Sequence, residues 1–135
     1  MKKRIVVADD DPTIVTLVSL RLESDEYEVC AAPSGDEALK AIRAQPTDAA
    51  ILDVQMPGTG GLATLEQIKS DPAIAGTPVM ILTGERNPET VMQALGGGAA
   101  DYMVKPFDPD TLAQRLARMI RNHPAPVREG AAWEI

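Results

Sequence analysis

The sequence predicts an α/β fold: a doubly wound parallel sheet of five strands covered by five helices. Three observations lead to it. Short apolar runs of strand type alternate with segments of helical periodicity along most of the chain. Several of those runs are apolar throughout, as strands covered on both faces are, instead of alternating with polar residues. Four of the five helical segments also open on a capping signal. At 135 residues the chain is long enough for one domain with a real core and too short to expect two.

The elements follow in order. Arg4 to Ala8 is the first strand candidate, and Asp11 with Pro12 then supplies an N-cap and a first helical residue. Ile14, Leu17 and Val18 give that helix its apolar stripe. Tyr27 to Ala31 is the second strand, followed by Ser34 and Glu37 in a capping-box pattern ahead of Ala38, Leu39 and Ile42. Ala49 to Leu52 is the third, and Leu62, Leu65 and Ile68 mark the helix after it. Val79 to Leu82 is the fourth. Its helix opens at Asn87 and Pro88, carries Val91, Ala94 and Leu95, and can end at Gly96 to Gly98. Ala100 to Val104 is the fifth strand, with Asp108 and Pro109 opening a helix whose stripe is Leu112, Leu116, Met119 and Ile120. Alternation of this kind implies right-handed crossovers and a parallel sheet. The expected domain is residues 1–122, and the pattern stops in residues 123–135, which read as a flexible tail or linker.

Composition narrows the function. With 44% hydrophobic and 24% charged residues the chain reads as a globular protein and not as a disordered one. A formal charge of −7 and the lack of a Lys/Arg cluster argue against direct nucleic-acid binding. No run approaches membrane-spanning length, and MKKRIVVADD lacks the features of a signal peptide. The single Cys30 cannot form an internal disulfide and reads as core packing in a reducing cytoplasm.

The polar residues carry the chemistry. In open sheets of this kind ligands bind beyond the carboxyl ends of the strands, and four of the five ends bear a capable group: Asp9 and Asp10, Asp53, Thr83, and Lys105. Three acids in a row at residues 9 to 11 repel one another and need compensation. Asp11 is accounted for as the helix cap. Asp9, Asp10 and Asp53 offer hard oxygen ligands suited to Mg2+, which keeps some positions for water or phosphate oxygens. A carboxylate can also attack phosphorus to give an aspartyl phosphate, whose charge a metal ion, the Lys105 ammonium and the Thr83 hydroxyl are suited to stabilise. Gly84 leaves room beside Thr83 for an incoming group. Gly58, Gly60 and Gly61 read as turn residues, since no GxxxxGK[ST] phosphate loop is present.

The motifs VVADDDP, ILDVQMPGTGG, ILTG and GAADYMVKPF, in that order, resemble the receiver domain of two-component response regulators over residues 3 to about 122. The resemblance implies the CheY-like strand order 2-1-3-4-5. It implies that Asp53 accepts a phosphoryl group from a sensor histidine kinase or phosphotransfer protein, that Asp9 and Asp10 organise Mg2+, Asp10 directly, and that the backbone carbonyl of Gln55 completes the protein ligands. It further implies that Lys105 pairs with the phosphoryl group and that the Lys105–Pro106 bond is cis. Thr83 would move toward the phosphoryl group and Tyr102 would turn inward. Together they would remodel a face of helix four, strand five and helix five that serves a downstream partner or output domain and is a candidate dimer surface. Gln55 and Glu85 occupy positions that border the water attacking the adduct, so the expected self-catalysed dephosphorylation is tuned there. No enzyme activity on other molecules is implied.

Two rivals share the sheet. Asp9, Asp11 and Thr13 also fit the D-x-D-x-T of haloacid-dehalogenase-type phosphatases, with Asp9 as nucleophile and Asp53 dispensable, although the second acidic pair expected after Lys105 is not evident. A flavodoxin-like carrier would need a hydroxyl-rich loop where Asp9 to Asp11 stand, and Trp133 lies in the tail. A third reading is a receiver-like interaction module that is never phosphorylated, against which the acidic, threonine and lysine positions speak.

Overall fold

The computed structural model describes residues 2–84 and 87–123. β1 (Arg4–Ala8), α1 (Pro12–Ser24), β2 (Glu28–Ala32), α2 (Gly35–Ala44), β3 (Ala49–Asp53), α3 (Gly61–Ser70), β4 (Val79–Thr83), α4 (Pro88–Gly96), β5 (Asp101–Val104) and α5 (Pro109–Asn122) follow in sequence. All strands pair in parallel in the order β2-β1-β3-β4-β5. The expected five-stranded, five-helix architecture is the one observed. The expectations for Glu85 and for the tail beyond His123 fall outside the described residues.

Every residue of β1, β3 and β4 is buried, whereas the edge strands β2 and β5 are buried only in part. That division is what the runs of unbroken apolar residues predict for strands with helices on both faces. Side chains alternate between two cores. Val6, Ala8, Ala50, Leu52 and Ile81 meet α2, α3 and α4 through Leu39, Ile42, Leu65, Ile68 and Ala94. Ile5, Val7, Ile51, Met80 and Leu82 meet α1 and α5 through Val18, Leu22, Leu112, Leu116 and Ile120.

The caps are as expected. Asp11, Ser34, Asn87 and Asp108 each accept a backbone N–H of the first helical turn. Differences lie at element ends and helix faces. β2 begins one residue later than expected, at Glu28, and β3 and β4 extend to include Asp53 and Thr83, so both groups are buried strand residues. Leu17, expected in the core stripe of α1, is exposed, and Leu22 takes the buried position. In α4, Leu95 is exposed and Ala94 is buried. Cys30 is half-buried and packs on the α2–α4 core.

Candidate functional site

The run Asp9-Asp10-Asp11 is divided three ways. Asp11 turns to its own helix, its Oδ1 accepting the Thr13 N–H at 2.9 Å. Asp9 is 2% exposed. Its Oδ1 accepts the Asp11 N–H at 2.9 Å and its Oδ2 accepts Lys105 Nζ at 2.7 Å. Asp10 is exposed, but one of its carboxylate oxygens lies within 4.8 Å of ligand oxygens from Asp9 and Asp53. The repulsion posed by the sequence is thus met by one helix cap, one buried salt bridge and one acid left facing water.

Asp53 closes β3 beside β1, where the strand order reverses and crevices form in such sheets. It is 4% exposed, with Oδ2 at 3.2 Å from Lys105 Nζ and Oδ1 accepting the Gln55 N–H at 3.4 Å. Lys105 reaches both acids because β5 is anchored next to them: its backbone N–H donates to Thr83 O at 2.8 Å, directly after the pairing of Thr83 with Val104. The Lys105–Pro106 bond is cis. Thr83 is buried at the end of β4, and the space beside Gly84 is open. Tyr102 is half-buried against the α2–α4 core.

Of the three clustered carboxylates, two therefore share one ammonium. Burial first, and the Asp9 carboxylate second, push the Asp53 carboxyl above the usual aspartate range, with Lys105 pulling the other way. Burial alone would lower the Lys105 ammonium, but the Asp9 hydrogen bond and the charges of Asp53 and Asp9 outweigh it and hold it above the ordinary lysine value. A site with surplus negative charge and only hard oxygen donors fits a small divalent cation, and a carboxylate at its centre fits a nucleophile.

A family model for the response regulator receiver domain matches residues 5–117. The chain belongs to this family. The receiver domain is 33% identical over 127 residues to the DNA-binding response regulator MtrA of Mycolicibacterium smegmatis, covering 93% of this chain and 54% of that protein. Against the sensor kinase/phosphatase CqsS of Vibrio cholerae it is 34% identical over 120 residues, 88% of this chain and 18% of that protein. The chain thus spans about half the length of MtrA and less of CqsS. The crystal structure of chemotaxis protein CheY4 of Vibrio cholerae superposes with a TM-score of 0.83 at 33% identity, over 88% of this chain and 99% of that one. A CheY-like receiver domain from Methanospirillum hungatei gives 0.85 at 28% identity, over 91% and 97%. A CheY-like receiver of two-component signalling, the reading drawn from the motifs, is what these matches support.

Asp9, Asp10, Asp53, Thr83 and Lys105 all come to one rim of the receiver domain. Asp11, whose side chain is spent on the helix, does not join the acidic cluster, which weakens the D-x-D reading. Two features near the site carry no sequence signal. Asp36 of α2 accepts a hydrogen bond from Thr59 in the loop after Asp53, and Gly35 lies hard against that loop. Both depend on contacts between segments that no local pattern connects. Among the described residues, no helix is long and apolar enough to cross a membrane.

Proposed function

We propose that the receiver domain, residues 1–122, takes a phosphoryl group on Asp53 from a histidine kinase or phosphotransfer protein. The observation carrying this is the burial of Asp53 beside an ammonium that lies 3.2 Å from it and bridges it to the buried Asp9 carboxylate at 2.7 Å. A carboxylate oxygen of Asp53 forms the bond to phosphorus as the bond from phosphorus to the donor's imidazole nitrogen breaks. That nitrogen keeps the electron pair and takes a proton. Asp9, Asp10, Asp53 and the Gln55 carbonyl would hold Mg2+, which when bound offsets charge on the transferred group. Lys105 exchanges part of its contact with Asp53 for the phosphoryl oxygens, and Thr83, on the neighbouring strand, donates its hydroxyl to them.

The readout is a population shift at the face of α4, β5 and α5, to which Tyr102 of β5 belongs and beside which Thr83 ends β4. Phosphorylation favours the active arrangement only by the difference in its interaction energy with the two states. That face serves a downstream protein or output domain and is the candidate dimer surface. Water then attacks the adduct along a path bordered by Gln55, and slow self-catalysed dephosphorylation resets the domain. The charge balance argues against a nucleic-acid partner for this segment itself, and the proposed location is the cytoplasm.

Incubation with a small-molecule phosphodonor, with and without Mg2+, followed by mass mapping tests the proposal. Modification is expected at Asp53, dependent on Mg2+ and absent in Asp53→Ala. Modification at Asp9 would favour the phosphatase reading, and none at all would favour a phosphorylation-independent module.

A further inference from the structure

The loop that follows Asp53 is closed on itself and braced from outside by α2. Gly61 N–H donates to Val54 O at 3.0 Å, which joins the two ends of the loop across residues 55–60. Thr64 Oγ1 donates back to Gly60 O at 2.9 Å from a fully buried position. At the far side, Thr59 Oγ1 donates to Asp36 Oδ1 at 2.9 Å. Gly58, with φ of 72°, sets the left-handed turn that brings Thr59 round to α2. The two segments pack so closely that a Cβ at Gly35 would lie 2.2 Å from Thr59 O and 2.1 Å from Thr64 Oγ1.

Resting on the metal site of the proposed function, we propose that Asp36 is a positioning residue for magnesium. It grips Thr59 and thereby holds the short loop that presents the Gln55 carbonyl. Asp36 lies outside the acidic cluster of Asp9, Asp10 and Asp53, so its effect runs through the loop. A loop segment fixed at one end by the strand and at the other by α3 still has freedom in between, and the Asp36–Thr59 bond removes it at the turn. A carbonyl ligand must be aimed before the ion arrives, because a cation with strict octahedral geometry gains little from an oxygen free to point elsewhere. The brace is charge-assisted but exposed, which limits its strength to that of an ordinary net hydrogen bond.

Four chains separate this from a charge effect: wild type, Asp36→Ala, Asp36→Asn and Thr59→Val. Magnesium affinity is read by titration calorimetry, and hydrogen exchange at the Gly61 amide is read in chelator with no metal present. Asp36→Ala and Thr59→Val are expected to bind Mg2+ about fivefold more weakly, the equivalent of one net hydrogen bond, and to exchange Gly61 faster. Asp36→Asn, which keeps the accepting oxygen and loses the charge, is expected to stay near wild type in both. Weakening in both Asp36 variants with Thr59→Val unaffected would overturn the inference in favour of long-range charge. Unchanged affinity and exchange in Asp36→Ala would overturn it too, while leaving the proposed function intact. A wild-type chain that binds no Mg2+ would instead overturn the proposed function, and this inference with it.

Discussion

Asp53 is caught between burial and charge, and its titration records the conflict. Because its carboxyl sits above the ordinary 3.8, the folded chain binds more protons than the unfolded one between that value and the raised one. Stability therefore falls as pH rises through that window, and at neutral pH the ionised group weighs against the metal-free fold. Asp53→Asn is expected to stabilise the metal-free chain at neutral pH, raising its urea midpoint above that of the wild type. The gain should shrink as the pH is lowered into the window, where the native carboxyl becomes protonated. Urea unfolding of both chains in chelator, at neutral pH and in mild acid, measures it. A gain of the same size in acid would mean that charge is not its origin. Lys105 works against the penalty: its ammonium bridges the two buried acids at 2.7 and 3.2 Å.

At the scale of elements, how much could be read beforehand varied with amphipathicity. α5 places Gln114, Arg118 and Arg121 opposite its apolar stripe, so Leu112, Leu116, Met119 and Ile120 were all identifiable and all are buried. α1 carries Ile14, Val15, Leu17, Val18, Leu20 and Leu22, apolar residues on nearly every side, and periodicity then cannot choose a face. Packing chooses it: Val18 and Leu22 point into the core while Leu17 and Leu20 stay 44% and 63% exposed. Leu22→Ala is expected to cost about 2–5 kcal/mol and Leu20→Ala about 0.5 kcal/mol or less, as read from the midpoints of urea denaturation. Near-equal losses would place α1 in a different rotation. The site residues were legible for a related reason. Each stands at the end of a strand, and a parallel sheet brings all such ends to one rim whatever their distance in sequence. The Asp36 brace has no such rule behind it, since it depends on how closely α2 and the loop after β3 approach.

Over the whole molecule, two cores on opposite faces of one sheet hold β1, β3 and β4 rigid, and the acids are mounted on the ends of those buried strands. The unfolded chain scatters Asp9, Asp10 and Asp53 over more than forty residues of sequence, so a cation bound by all of them is bound by the fold alone. Ligation of the native state only must raise stability as RT ln(1 + [L]/Kd), about 2.7 kcal/mol when the ion stands at a hundred times its Kd. Calorimetric Tm is therefore expected to climb with the logarithm of magnesium concentration, while potassium at matched ionic strength, which only screens, gives a smaller and soon saturating change. Asp10→Ala keeps the buried Asp9–Lys105–Asp53 arrangement and removes the exposed carboxylate of the cluster, so its Tm should be nearly flat over the same titration. An equal climb in Asp10→Ala would mean that the ion binds elsewhere, and the rim of strand ends would lose its claim to be a metal site.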